Sequence, residues 1–400
     1  MKRRLFLQSL AATATLPLMH GQLMAAPATQ ARLLVVFLRG GYDAASLLVP
    51  TSSTMYTETR PNIAITHPAE LNHDWGLHPS LSDSILPLYN KGQVAFIPFA
   101  GTEDTSRSHF ETQDSIELGQ PLQGRRNLAS GFLNRLASVL NKDKQAVSAM
   151  AFTDQLPLIM RGEIQIPNAG LSSITNSSVN DHQSKLIASM YQGQALAKQV
   201  DEGFAVRDQV KHQIDQMQAE DKAKEMTAAN RNAITTKGFG QEARRIGKLM
   251  QQQYALGFVD VGGWDTHVNQ GATTGALATR FNQLGLGLAA FAEEMGNAWN
   301  NTVVVVVSEF GRTFRENGNR GTDHGHGTVF WVLGGAVHGG KIIGEQIALE
   351  QKNLFQNRDY PVLNEYRGVL GGLFSRMYGL TPDQLNHVFS NVNSKDLGLV

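Results

Sequence analysis

The chain contains no cysteine, which excludes disulfides, thiolate metal sites and a cysteine nucleophile. It also lacks a charge excess. Its 35 basic and 35 acidic residues cancel, so no global field draws it to nucleic acid or to an anionic membrane face. After the N-terminal segment there is no run of about eighteen apolar residues, so no integral membrane segment is expected in the mature chain. What is present is a hydrophobic fraction of 42%, enough for a substantial core over 400 residues. Small or neutral molecules are the expected partners.

The first residues read Met1, Lys2, Arg3, Arg4, Leu5, Phe6, Leu7, an arginine pair followed by a mildly apolar stretch from Ser9 to Met24. That pattern is a twin-arginine export signal, and Pro17, His20 and Gly21 interrupt the stretch too often for it to anchor in a bilayer. Cleavage is expected near Ala26 to Ala28, which divides the chain into a signal peptide, 1–28, and one domain, 29–400. The expected destination is the periplasm, reached in folded form through the twin-arginine translocase.

Arg32 to Leu38 reads RLLVVFL, a continuous apolar run of strand length that ends in Arg39, Gly40, Gly41, Tyr42, Asp43. Val94 to Ile97, Ala149 to Phe152, Gly257 to Val259, Val303 to Val307 and Phe330 to Leu333 are further short runs of this kind. Between them, Ala276 to Trp299 carries apolar residues at spacings of three and four, the period of a helix. Strands alternating with helices predict an α/β fold with a mostly parallel central sheet sandwiched by helices. Ser172 to Gln253 breaks the alternation, being polar and free of proline, and reads as a helical insertion with a solvated helix over Val210 to Asn232.

Ligands bind beyond the carboxyl ends of strands in open α/β sheets, so the residues that follow each run carry the functional information. They are Asp43; Asp104 to His109; Asp260 to His267; Ser308 to Arg312; and, before the last strand, Thr322 to Gly327. Carboxylate and imidazole donors in this mixture suit a divalent ion such as zinc or manganese. The metal candidates are Asp43, Asp265, His267, Glu309, Asp323, His324 and His326, and spacing of two within Asp265/His267 and His324/His326 aims both members of each pair one way on extended backbone. Ser106 or Ser108, at the start of a helix near Phe110, reads either as a metal-activated nucleophile or as an N-cap. Arg107 and Arg312 read either as clamps on anionic oxygens or as partners of carboxylates.

The segments LVVFLRGGYDAASLLVP, GLHPSL, DTSRSHFETQD, FVDVGGWDTHVNQG, VVVVVSEFGRTFRENG and GTDHGHGTVFWVLGGAVHGG resemble the bacterial DUF1501 family. That family in turn resembles the alkaline phosphatase superfamily, with its sulfatases and phosphodiesterases. The resemblance implies an alkaline-phosphatase-like α/β sandwich, with Asp43 as a first-strand metal carboxylate and a nucleophile in the Ser106/Ser108 loop. It further implies that Asp265, His267, His324 and His326 bind metal, and that Glu309 keeps a carboxylate where Phe310 replaces a histidine. The implied activity is periplasmic, metal-dependent hydrolysis of a small or polymer-linked phosphate or sulfate ester, with His109 or an arginine stabilising the reacting oxygens. Formylglycine chemistry is excluded by the missing cysteine. The alternative is a non-catalytic exported binding or assembly protein that keeps the fold, which the replacement at Phe310 favours.

Overall fold

Leu33, Val35 and Phe37 of the first strand bury themselves on one face of a sheet, and Leu34, Val36 and Leu38 on the other. A strand with both faces covered has no use for alternation of polar and apolar residues, which is why this segment is a continuous apolar run. The structure, a computed structural model, describes residues 31–123, 127–141, 147–170 and 239–400. The expected export signal, 1–28, and residues 172–238 of the expected insertion, including Val210 to Asn232, lie outside the described residues.

Strand β1 (Arg32–Leu38) pairs in parallel with both β7 (Leu256–Val261) and β8 (Thr302–Ser308), and β6 (Ala149–Ala151) extends the parallel set beyond β7. On the other side β9 (Thr328–Leu333) pairs antiparallel with β8 and with β5 (Val94–Gly101). β10 (Lys341–Ile342) and β11 (Asn364–Glu365) run parallel to β5 and complete an 8-stranded sheet. The sheet is therefore mixed rather than simply parallel: β9 alone opposes the rest. A smaller sheet that the sequence pattern does not announce joins β2 (Leu48–Pro50), β3 (Ala69–Glu70) and β4 (Trp75–Leu77) antiparallel. Pro98 interrupts β5, because it has no N–H for the ladder; the pairing register shifts between Ile97 and Ala100.

Helices cover both faces. One core layer packs the helices Phe239–Gln252 and Ala276–Met295 on the sheet through Ile246, Leu249, Phe281, Leu284, Leu288 and Phe291. The opposite layer uses Phe132–Asn141 and Tyr366–Tyr378, through Leu133, Leu136, Leu370 and Phe374. Truncating any of these leucines to alanine removes buried area and opens a cavity, at a cost of about 2–5 kcal/mol. The segment Phe239–Gln252, read from composition as the end of the helical insertion, packs into the core. Its Ala243, Ile246 and Met250 share a face at helical spacing, and that face is buried.

This topology decides what meets at one edge. The parallel strands β1, β5, β7 and β8 all end there, and β9, because it runs the other way, begins there. The loops after the first four and the loop before the fifth converge on the same rim. No described helix is long and apolar enough to cross a membrane.

Candidate metal centre

His109 is the first residue of the helix His109–Leu118, entered directly from the loop that follows β5. Asp265 and His267 stand in the loop after β7, Glu309 and Arg312 in the segment after β8, and Asp323 and His324 in the loop before β9. Two glycines let these loops touch. Gly40, at φ +124°, lies so close to the Asp265 backbone that a Cβ would fall 2.7 Å from its nitrogen, and its own N–H donates to Glu309 Oε1 at 2.8 Å. Gly325 backs onto Arg312, where a Cβ would fall 2.4 Å from the carbonyl carbon.

Four side chains meet at the rim. His109 Nε2 stands 3.0 Å from His324 Nε2, and His267 Nε2 stands 3.1 Å from the same atom. Asp265 Oδ1 lies 2.9 Å from His267 Nε2 and 3.2 Å from His324 Nε2, while its Oδ2 lies 3.6 Å from His109 Nε2. The Asp265 side chain is 42% exposed, so the cluster opens to solvent.

The far side of each imidazole fixes its proton. His109 Nδ1 faces Glu309 Oε1 at 2.8 Å, His267 Nδ1 faces Asp323 Oδ1 at 3.3 Å, and His324 Nδ1 faces the Arg107 carbonyl at 3.1 Å. Carboxylates and carbonyls only accept, so an N–H at each Nδ1 satisfies these three partners and leaves Nε2 of His109 and of His267 as lone-pair donors facing Nε2 of His324. Lone pairs that close repel unless a cation stands between them. Two nitrogens bound at 2.0–2.1 Å to one tetrahedral zinc ion sit roughly 3.3 Å apart, close to the spacings seen here. His109, Asp265 and His324 thus group closely enough to hold one divalent ion, each imidazole held from behind, and His267 stands beside Asp265 and His324 as a further donor.

Neighbouring groups set the ionisation of the donors. The hydrogen bond to Glu309 raises the His109 pKa above its ordinary value, against burial. Burial, then the neighbouring charges of His109 and Arg312, lowers that of His324. Burial opposes ionisation of Asp265, but Arg312 outweighs it and, with His267 and His324, holds that carboxyl below its usual range.

The family described as a protein of unknown function, DUF1501, matches residues 30–389. The chain belongs to that family. No curated protein matches the DUF1501 chain. Among solved structures it is similar to Ps i-CgsB, with 11% identity and a TM-score of 0.35 over 92% of this chain and 75% of that one. It is similar at 10% identity and the same TM-score and coverage to Ps i-CgsB in complex with k-i-k-neocarrahexaose. Likeness at that level carries no argument about fold or activity.

In this DUF1501 protein, then, Asp265, His267 and His324 come together as the sequence suggests, and His109, expected near reacting oxygens, joins them as a fourth donor. Other candidates stand elsewhere. Glu309 and Asp323 lie behind His109 and His267 and hold them; Glu309 Oε1 also accepts from Gln113 at 2.9 Å, a partner the sequence does not single out. Asp43 is not at the cluster: it is buried, gripped by Arg60 at 2.6 and 3.0 Å and bonded by Ser46 and Gln270 at 2.7 Å each. His326 turns away to pack its ring, tilted, 4.7 Å from that of Phe355, and burial pushes its pKa down to about 4. Phe310 takes no ligand role but packs its ring 4.9 Å from His109 and 5.1 Å from His324.

Both arginines serve carboxylates. The Arg312 side chain is fully buried and holds Asp265 Oδ1 at 2.5 Å, and Arg107 holds Asp359 at 2.7 Å. Ser106 Oγ accepts from the Ser108 N–H at 3.3 Å and sits 3.4 Å from Thr112 Oγ1. Ser108 precedes the helix without a side-chain capping bond. The hydrogen bonds of neither serine reach the four donors.

Proposed function

We propose that this chain is an exported, metal-dependent hydrolase of phosphate or sulfate esters, working in the periplasm after passage through the twin-arginine translocase. The observation that supports it most is the meeting of His109, Asp265 and His324, with His267 beside the last two, at the rim where four strands end and one begins. A nitrogen-rich set of this kind favours zinc over manganese. When bound, the ion polarises an ester oxygen or lowers the pKa of a water. The protein's own part is to hold the donors. Glu309, Asp323 and the Arg107 carbonyl fix the three rings, and Arg312 neutralises part of the charge on Asp265.

The arginines around this cluster bear on the substrate. Arg107, Arg312 and Arg358 each already hold an acceptor, Asp359, Asp265 and the His324 carbonyl respectively. Singly charged sulfate esters and phosphodiesters therefore suit the centre better than doubly charged phosphate monoesters, which need additional cations. The test is hydrolysis of an aryl sulfate, an aryl phosphodiester and an aryl phosphate monoester by full-length protein loaded with zinc. Turnover of the first two above the third is expected. Zinc bound at the cluster with none of the three cleaved favours a second reading, a non-catalytic binding or assembly protein, for which the two disengaged serines speak.

A further inference from the structure

The Arg107 carbonyl that fixes His324 is itself held in an unusual way. Arg107 has φ +54°, the left-handed region that an L side chain rarely occupies unless its surroundings enforce it. Its guanidinium is pinned at the far end: Nε and Nη2 both donate to Asp359 Oδ2, at 3.0 and 2.7 Å, and Nη2 also donates to Gln356 Oε1 at 2.7 Å. Asp359 is fully buried. Its segment is tied in turn to the site, because Phe314 N–H donates to the Arg358 carbonyl at 3.0 Å and Gly327 N–H to that of Tyr360 at 2.8 Å. Burial pushes the Asp359 pKa up, and the hydrogen bond from Arg107 opposes it most strongly.

We propose that Asp359 is a positioning residue for the metal centre, acting through Arg107. Anchored by Asp359, the Arg107 side chain keeps its own backbone in the left-handed region, and only so does the carbonyl face His324 Nδ1 at 3.1 Å. The carbonyl keeps the proton on Nδ1 and leaves Nε2 free for the ion. This explains a buried carboxylate that contacts no donor of the cluster and a backbone strain located beside it. It rests on the metal reading of the cluster, so the assay separates the two.

Zinc affinity is measured by competition with a chromogenic chelator on full-length protein and variants. Asp359→Asn and Arg107→Ala are expected to bind zinc about 10–100-fold more weakly, the usual effect of losing a partner behind a ligand. Arg107→Gly is expected to stay close to the parent, because glycine keeps the carbonyl and enters the left-handed region without strain. Adding Asp359→Asn to Arg107→Gly then costs little more, since the interaction it breaks is already gone. Asp359→Asn binding as tightly as the parent overturns the proposal, and so does Arg107→Gly binding as weakly as Arg107→Ala. The Arg107 pair carries the test should the buried Asp359→Asn not fold. A parent that binds no zinc overturns the metal reading itself, and this proposal with it.

Discussion

Each donor at the centre has a residue behind it, and the two kinds of residue have different failure modes. His324→Ala removes a donor and is expected to abolish stoichiometric zinc binding. Glu309→Ala leaves all four donors in place but frees the His109 ring, with an expected loss in zinc affinity of about 10–100-fold by chelator competition. Asp43 separates the structure from the plan drawn from family resemblance. Asp43→Asn should leave zinc stoichiometry unchanged, yet leave the buried Arg60 guanidinium without its counter-charge, costing about 3–5 kcal/mol in urea unfolding. Asp265, His267 and His324 were legible because their residue types stand next to apolar runs, the first two after one and His324 before another. The exchange of roles between Glu309 and His109 was not legible, since sequence does not say which ring nitrogen faces which neighbour. Asp43 misled because its partner Arg60 sits 17 residues away on no shared periodic pattern. His326 misled because backbone from His324 to Gly327 is not regular strand, so alternation does not hold there.

At the scale of elements the strand runs were legible, because burial on both faces demands unbroken apolar stretches, whereas strand direction was not. Hydrophobic runs look alike whichever way they point. The reversal of β9 matters most for function: were it parallel to β8, the loop carrying Asp323 and His324 would open on the opposite rim, away from His109 and Asp265. The small sheet of β2, β3 and β4 escaped notice because its strands are only two or three residues long. Close loop contact is the other requirement at this scale. Gly40→Ala places a Cβ against Asp265 N in a backbone conformation that alanine avoids. It is expected to lower stability by about 1–3 kcal/mol and to weaken zinc binding together, measured by thermal unfolding and by chelator competition.

For the whole molecule, the buried Asp43–Arg60 pair ties the loop after β1 to Phe314 and Thr313, and so links stability to pH. Burial works against ionisation of Asp43, but Arg60, Ser46 and Gln270 hold its pKa below the ordinary value. A carboxyl depressed in the folded state contributes stability fully above its unfolded pKa of about 3.9, and that contribution is lost as pH falls through the folded value. The urea midpoint of the metal-free protein should therefore lose the Asp43 share only below about pH 4, and Asp43→Asn should remove that part of the acid sensitivity.

The same molecule should answer to its ion. At a free zinc concentration one hundred times the dissociation constant, folding stability rises by about 2.7 kcal/mol if zinc binds the folded chain alone. Most direct is the zinc content of full-length protein after incubation with zinc and removal of the excess, measured by elemental analysis beside His324→Ala and Asp43→Asn. One ion per chain in the parent and in Asp43→Asn, with none in His324→Ala, is the predicted result. A parent without zinc, or a His324→Ala chain that retains it in full, contradicts a centre built from His109, Asp265, His267 and His324.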